Sequence, residues 1–233
     1  MILRRDHASW LCIQQVDHAA MAAEIMAEWN ELRHHPRKDA ILFAVRHHDN
    51  GWVEEDAKTH VDEAGEPLDF ISVPVPVKHR IWPRAVARFE RERPYESALI
   101  AQHALTVHGQ QRLDGQWRPF FDTMEGLRAH LLERCGAWAN AALDEDYRFV
   151  QMGDQLSLIF CNGWTAPFPR HGGRSILKGT TLETTPDPFD GRAVRMQVQA
   201  KRIPARAYDS PADLRSTLDQ AGTEILGGIL QGA

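Results

Sequence analysis

The sequence predicts a mainly α-helical protein: a helical bundle that carries a small antiparallel β elaboration and a C-terminal helix. Up to Asn162, apolar residues recur at helical spacing and mostly short connections separate the helical stretches, which is typical of a bundle. After Asn162 the chain becomes rich in Pro, Gly and Thr, and apolar and polar residues alternate as in strands. We therefore expect a bundle over residues 1–163 and, over residues 164–233, a β-rich elaboration with a terminal helix, packed together as one compact unit.

The first two predicted helices carry three candidate functional residues. Residues 13–33 show two apolar stripes at helical spacing, and one of these stripes includes His18. Residues 38–49 form a second apolar run that an Asn-Gly pair ends, which places His48 and Asp49 in its last turn. We therefore expect His18 to share a face with apolar groups and the His-Asp pair to lie at a helix end.

Prolines decide the prediction for the middle of the chain. Residues 51–83 contain several of them, and we expect a long ordered loop there, because a proline inside a helix removes a hydrogen-bond donor. A short helix is expected over residues 83–92 and a longer one over 95–108, each opened by a proline. His103 lies on the longer helix, one turn from apolar neighbours.

Two more helices complete the predicted bundle, over residues 120–143 and 147–160. Asp154 lies on the last of them among apolar residues, and a carboxylate in such a position needs a partner. Beyond the bundle, the strict alternation at residues 194–200 predicts a strand. A serine cap, a first-turn proline and an early carboxylate then predict a terminal helix over residues 210–230.

The charge balance and the cysteines limit the classes of partner and compartment. The chain has 27 Lys and Arg against 32 Asp and Glu, a net charge of −5, which gives no electrostatic reason to expect nucleic-acid or membrane partners. We expect a small-molecule substrate instead, and a homodimer is compatible with the sequence. Cys12, Cys135 and Cys161 form no CxxC pair, and no segment resembles a signal peptide or a membrane span, so we expect a cytoplasmic protein.

Imidazole and carboxylate side chains on the predicted helices could meet in one interior. A single His-Asp pair occurs by chance in a chain of this composition, so the doublet alone proves nothing. The other candidates strengthen it, because they lie among apolar neighbours, and facing helices of bundles are where metal sites are built. Imidazole and carboxylate ligands suit Zn, Fe or Mn. The candidate metal ligands are His18, His48, Asp49, His103 and Asp154.

The motifs QVDHA, VRHHDNGW and MGDQLSL resemble those of the HD-domain superfamily of metal-dependent hydrolases, over about residues 13–161. In that superfamily a His on the first helix, a His-Asp doublet at the end of the second and an Asp on the last core helix all bind a divalent metal. The corresponding residues here are His18, His48, Asp49 and Asp154. More narrowly, the HDNGW, ALIAQH and DQLSLIFC segments look like a bacterial HD-like family of unassigned function.

The resemblance also implies a cofactor and catalytic roles. It implies one or two divalent ions of Mn, Fe, Zn, Ni or Mg, with Asp49 as the bridge between two ions and as a catalytic residue. His103 resembles an additional histidine that supports a second metal or contacts phosphate. Asp56 follows HDNGW by a short loop, and we expect it to bind substrate or to carry a proton as a third catalytic residue.

Each candidate also has a purely structural interpretation. His18 and His103 could be core histidines that bond to neighbouring groups without a metal. Asp49 could bond to the turn that follows it, and Asp154 could pair with an arginine of a neighbouring helix. Asp56 could be a solvated loop residue.

The sequence therefore predicts a metal-dependent hydrolase, in particular a phosphohydrolase that acts on a small phosphorylated compound or a nucleotide. A divalent metal lowers the pKa of bound water toward neutrality and neutralises phosphate oxygens. Two alternatives stay open: an HD-like diiron oxygenase, and a non-catalytic module that senses a metal or a ligand. Residues 170–174 carry cations that could bind an anion, but they suit a charged turn better.

Overall fold

The computed structural model describes residues 1–170 and 173–233, and in these ranges nine α-helices and seven β-strands follow one another. The helices are α1 (Gln15–Ala27), α2 (Asn30–Arg33), α3 (Lys38–His47), α4 (Val53–Asp56), α5 (Val75–Ala87), α6 (Pro94–Val107), α7 (Arg118–Cys135), α8 (Ala137–Asn162) and α9 (Pro211–Gln220). The strands are β1 (Ile2–Asp6), β2 (Ser9–Ile13), β3 (Phe168–Arg170), β4 (Gly173–Lys178), β5 (Thr181–Thr185), β6 (Val194–Pro204) and β7 (Thr223–Gly232). The anion-binding turn considered at residues 170–174 includes His171 and Gly172, which lie outside the described residues.

The prediction of a mainly α-helical bundle with a small antiparallel β elaboration is wrong. The chain is 53% helical, and 20% of it lies in a curled, mixed sheet of seven strands. The strand order is β1-β2-β6-β7-β5-β4-β3. Neighbouring strands run antiparallel except β5 and β7, which run parallel. The protein therefore combines a helical layer with a large sheet.

Strands from both ends of the chain build this sheet, which explains why sequence patterns underestimated its size. The strand predicted at residues 194–200 is confirmed as part of β6. β1 and β2 form an antiparallel hairpin, and β2 then pairs with β6, so that Cys12 lies opposite Lys201. The two N-terminal strands, with the sequences ILRRD and SWLCI, show no strict alternation of apolar and polar residues, which is the pattern that indicates a strand. Their pairing partner lies far along the chain, and no local signal reports such a contact.

A short helix and a strand replace the terminal helix predicted over residues 210–230. Ser210 caps α9 as expected, because its hydroxyl accepts a hydrogen bond from the Asp213 backbone N–H at 3.2 Å. The helix ends at Gln220, and β7 then lies between β6 and β5, with backbone pairing on both sides. This pairing overrides the local preference for helix.

The proline-rich segment that was expected to be a loop contains most of α5. The helix begins directly after its N-cap, Pro74, and Pro76 lies in its first turn, where a missing N–H removes no intrahelical bond. Pro83, which was expected to open a new helix, lies inside α5 instead. As a result Lys78 and Trp82 lie one turn apart on a regular helix.

The last two bundle helices are divided at a different point from the predicted one. α7 ends at Cys135, Gly136 adopts a φ of 90°, and α8 then continues for 26 residues. A positive φ is accessible to glycine at little cost. In contrast, α3 and α6 agree with the predicted helices at 38–49 and 95–108 to within two residues. Neither α8 nor any other helix in the described ranges is apolar enough over a sufficient length to cross a membrane.

Close packing of α1, α3 and α8 positions the candidate site. A Cβ atom added to Gly153 of α8 would lie 2.8 Å from Met26 Cγ and 3.0 Å from Val45 Cγ1. Glycine therefore allows α8 to approach the other two helices, and it brings the next residue, Asp154, toward them. β6 packs against α1, and β1 packs against α8. The sheet thus supports the helices that carry the site.

Candidate metal centre

The four side chains that correspond to the metal ligands of HD domains meet in the interior. His18 comes from the first turn of α1, His48 and Asp49 follow α3, and Asp154 comes from α8. One potential ligand atom from each lies within 4.8 Å of all the others. Both histidines are completely buried, and the two aspartates are 6% and 7% exposed. Buried carboxylates at such short separation need a positive charge between them.

The ring of His48 is oriented as in a metal ligand. Its Nδ1 lies 2.7 Å from the Val45 carbonyl oxygen, which can only accept, so Nδ1 carries a proton and donates it. The other ring nitrogen, Nε2, is buried without a hydrogen-bond partner. It faces Asp49 Oδ2 at 3.6 Å and Asp154 Oδ1 at 3.3 Å. A neutral His48 therefore presents a bare Nε2 to two carboxylates, which is the tautomer that binds metal ions.

His18 has the same arrangement, fixed by a serine. The hydroxyl of Ser157 donates its single hydrogen to the Asp154 carbonyl oxygen at 2.9 Å, so it accepts a hydrogen bond from His18 Nδ1, also at 2.9 Å. His18 Nε2 then faces Asp49 Oδ2 at 2.8 Å. If the imidazole is neutral, its Nε2 carries no proton, so Nε2 and Asp49 Oδ2 would be two hydrogen-bond acceptors in contact. A proton or a metal ion between them removes the conflict.

The two carboxylates of the centre favour the binding of a proton or of a metal cation. Burial opposes the charging of His48, but the Asp49 and Asp154 carboxylates outweigh it and raise the pKa of His48 to about 9. Burial also acts against ionisation of Asp49, but His48 and His18 lower its pKa to about 2. The pKa of Asp154 is lowered in the same way, against burial, by its contact with His48. Both aspartates are therefore ionised near neutral pH.

This donor set fits a divalent cation. Two carboxylates and two neutral imidazoles carry a charge of −2, which one divalent ion would neutralise, and both ligand types bind Zn, Fe and Mn. Ligand atoms about 2.1 Å from an ion lie at most about 4.3 Å apart. The four atoms, all within 4.8 Å of one another, would need to contract by roughly half an ångström.

We expect the metal affinity of the centre to rise with pH. A metal ion must displace the proton on His48 Nε2, and because the pKa of His48 is raised from 6.5 to about 9, that proton is present at neutral pH. Between pH 6.5 and about 9 the apparent affinity should rise by roughly tenfold per pH unit for one released proton, and it should level off above that range. Competition with a chromophoric chelator at several pH values measures this slope.

The metal-free protein should respond to pH in the opposite direction. The folded-state pKa of His48 lies above the unfolded value of 6.5, so its contribution to the free energy of unfolding is complete below pH 6.5 and disappears as the pH rises through about 9. Thermal unfolding of metal-free protein should therefore shift to lower temperature over this range. An affinity and a melting temperature that both stay constant would contradict the arrangement of charges described above.

His103 lies beside the cluster of the four candidate ligands. Its ring is 4.7 Å from the ring of His48, and its Nε2 is 3.9 Å from Asp154 Oδ2. Its Nδ1 contacts the Tyr147 hydroxyl at 3.2 Å. Burial and the neighbouring His48 lower the pKa of His103 to about 4, so this imidazole is neutral near pH 7.

Asp56, which the sequence proposes as a catalytic residue, lies away from the centre. One carboxylate oxygen contacts the amino group of Met1, and the other accepts a hydrogen bond from the Gln15 backbone N–H at 2.8 Å. These contacts place Asp56 at the first turn of α1, where it stabilises the start of the helix. These contacts are structural, and the catalytic role expected for Asp56 stays a prediction.

A cavity of about 220 Å³ leads to the centre, with Asp49, His103 and Asp154 in its wall. Trp52, the tryptophan of the HDNGW segment, also lines it. A larger groove of about 720 Å³ lies elsewhere, around Phe149, and none of the four ligand residues lines it. The smaller cavity is therefore the better candidate for substrate binding, because it borders the candidate metal ligands and the larger groove does not.

Two residues near the centre, Ser157 and Lys78, were not predicted from the sequence. Ser157 orients His18 and lies three residues after Asp154 on the same helix, a spacing that places both side chains on one face. This spacing was a usable signal. Lys78 also lines the cavity, but it lies in the segment that the prolines suggested to be a loop, so no helical face could be assigned to it.

Substitution of Ser157 by alanine should weaken metal binding without removing it. The change leaves the buried Nδ1–H of His18 without an acceptor and frees the ring to rotate, and loss of such an orienting partner typically costs about 10- to 100-fold in metal affinity. Ser97→Ala is a matched control, because Ser97 is completely buried and its hydroxyl has no hydrogen-bond partner in the described residues. Equal metal affinity of the two variants would show that Ser157 does not orient His18.

A family model described as Protein of unknown function (DUF3891) matches residues 1–205 of the chain. This range contains the whole candidate centre and the residues that line the adjacent cavity. No curated protein and no solved structure matches the chain.

Proposed function

The chain belongs to the DUF3891 family, and we propose that it is a metal-dependent phosphohydrolase whose ion is held by His18, His48, Asp49 and Asp154. One observation carries this proposal: two buried imidazoles, each with Nδ1 committed to an acceptor, direct their Nε2 atoms at two ionised carboxylates. The net negative charge of these four side chains requires a cation to neutralise it. A cavity connects it to the outside, as a reaction requires.

A bound divalent ion would supply an activated water and would neutralise phosphate oxygens. The chain's own residues have separate tasks. Asp49 and Asp154 provide the two negative charges that hold the ion. His103 is neutral near pH 7 and borders the cavity, so its imidazole can exchange a proton with a bound substrate.

The cofactor and the compartment belong to the same proposal. The site would hold one or two ions of Mn, Fe, Zn, Ni or Mg, and the two imidazoles favour the transition metals over Mg. A second ion would need His103, which lies 3.9 Å from Asp154. The cysteines Cys12, Cys135 and Cys161 are free, which agrees with a reducing, cytoplasmic location.

The resemblance to HD-domain hydrolases supports the proposal only through the motifs around the four ligands. The family match brings no activity with it. The helical bundle that the spacing of apolar residues predicts is replaced by helices on a seven-stranded sheet. The proposal therefore depends on the geometry of the site and not on the fold.

Metal analysis combined with turnover assays tests this function. The protein is purified without chelator and without a nickel column, its metal content is measured, and the metal-loaded form is assayed against phosphomonoesters, nucleotides and cyclic dinucleotides. We expect at least one transition-metal ion per chain and release of phosphate from one of these classes. A metal-loaded protein that hydrolyses none of them would contradict the hydrolase.

The same experiment separates the two alternatives. Two iron ions per chain and an oxygen-dependent change in absorbance would favour a diiron oxygenase. Ligand-induced stabilisation without turnover, retained in His48→Ala, would favour a sensing module.

A further inference from the structure

Among the described residues that line the cavity, Lys78 is the one lysine or arginine. It lies on α5 and is half-buried, and its Nζ donates a hydrogen bond to the Ile71 carbonyl oxygen at 2.6 Å. No carboxylate of the described residues lies within ion-pair distance of this ammonium group. Burial lowers the pKa of Lys78, and the Asp69 carboxylate, which lies beyond ion-pair distance, acts in the opposite direction. The cavity thus holds a cation that has no ion-pair partner among the described residues.

The neighbouring His108 of the cavity wall does not compete with Lys78 for an anion. The Trp82 indole N–H donates to His108 Nε2 at 2.9 Å, so a neutral His108 carries its proton on Nδ1. Burial, followed by the charge of Lys78, lowers the pKa of His108 to about 3. Lys78 is therefore the positive charge of this wall.

The rest of the wall limits the size and the polarity of a ligand. Trp52, Phe70 and Trp82 provide aromatic surface, and Val107 and Leu158 add aliphatic surface. The volume of about 220 Å³ lies below the roughly 300 Å³ at which pockets for drug-sized ligands usually begin. The cavity therefore suits a short molecule with one apolar part.

The charges limit the number of phosphate groups. A divalent ion on the two aspartates makes the four-ligand centre neutral as a whole, so Lys78 supplies the additional charge that a phosphate ester dianion requires. A second or third phosphate group would meet aromatic walls without another cation, and burying it there would be costly.

We propose that Lys78 binds the phosphate group of the substrate, and that the substrate is a compact phosphate monoester whose apolar group packs against Trp52, Phe70 and Trp82. This inference rests on the proposed metal-dependent hydrolase and specifies its substrate class. Lys78 acts as a binding and specificity residue, and it is not a metal ligand.

Binding measurements that do not depend on turnover test the inference. The full chain is loaded with Mn²⁺, and its affinity for inorganic phosphate is measured by calorimetry for the wild type, Lys78→Gln and Arg80→Gln. Arg80 is the control, because it lies on the same helix, is half-exposed, and points toward Glu55 at 3.6 Å instead of lining the cavity. Metal analysis and thermal unfolding verify that all three proteins are folded and loaded.

We expect Lys78→Gln to weaken phosphate binding by roughly 10- to 100-fold, the usual effect of losing one charged hydrogen bond. Arg80→Gln should stay close to the wild type, and metal content should stay equal in all three. Phenyl phosphate should displace phosphate more effectively than AMP or ATP does. In hydrolysis assays Lys78→Gln should raise KM more than it lowers kcat.

The possible failures separate the two proposals. Lysine-dependent phosphate binding without hydrolysis would retain the role of Lys78 and remove the hydrolase. Hydrolysis with unchanged phosphate affinity and KM in Lys78→Gln would retain the hydrolase and overturn the role of Lys78. Absence of phosphate binding by the loaded wild type, or ATP competing as well as phenyl phosphate, would overturn the assignment of a compact monoester.

Discussion

Replacement of His48 by alanine is expected to remove the metal ion and, with it, hydrolysis. His48 supplies one of the two bare Nε2 atoms, and without it two buried carboxylates share a single imidazole. Loss of a residue that merely orients a ligand costs about 10- to 100-fold in metal affinity, so loss of the ligand itself should cost more than about 100-fold. Metal analysis after dialysis, together with phosphate release, measures both effects.

The preceding residue provides a matched control for this substitution. His47 is rotated away from the centre, and its ring packs between Phe43 at 4.4 Å and Phe89 at 4.9 Å. His47→Ala should therefore reduce stability through lost packing, while the metal content and the activity of the folded protein remain. A metal-loaded, active His48→Ala protein, or equal metal loss in both variants, would contradict the proposed centre.

The meeting of the four ligands could be anticipated from the sequence, because local pattern determines which side of a helix a residue occupies. His18 and Asp154 lie among apolar residues at helical spacing, and such faces point inward in any fold. The His48-Asp49 doublet lies where an apolar run ends. These predictions needed no knowledge of how the helices are connected.

The extent and the strand order of the sheet could not be anticipated, because its pairings join distant parts of the chain. β2 pairs with β6, and β7 is inserted between β6 and β5. A helical start signal at Ser210 was correct, but it contains no information on where the helix ends. The role of Lys78 was hidden for a different reason: prolines near the start of α5 were interpreted as helix breakers, although the first turn of a helix tolerates them.

Another buried carboxylate, Asp146, should be essential for stability and not for metal binding. It is completely buried in α8 and accepts hydrogen bonds from Arg37 Nε at 2.6 Å, from Arg37 Nη2 at 2.9 Å and from the Tyr95 hydroxyl at 2.6 Å. The His35 ring contacts it at 3.5 Å. These contacts connect α8 to the segment before α3 and to the start of α6.

Substitution of Asp146 by alanine removes every acceptor of this network at once. Removing one partner of a buried, hydrogen-bonded ion pair typically costs 3–5 kcal/mol. Because the Arg37 side chain is 27% exposed and can regain water, we expect about 3 kcal/mol. For a chain of this length that loss corresponds to a decrease in melting temperature of roughly 6–12 °C, measurable by calorimetry or circular dichroism.

Two control variants, one at a neighbouring exposed aspartate and one in the metal centre, distinguish a loss of stability from a loss of metal binding. Asp144 lies two residues earlier on α8 and is exposed, so Asp144→Ala should change the free energy of unfolding by less than about 0.5 kcal/mol. Below its melting temperature, Asp146→Ala should bind the same amount of metal per folded chain as the wild type, whereas His48→Ala should lose the metal. Loss of metal by Asp146→Ala at an unchanged melting temperature would mean that the structural and the metal-binding carboxylates have been assigned the wrong way round.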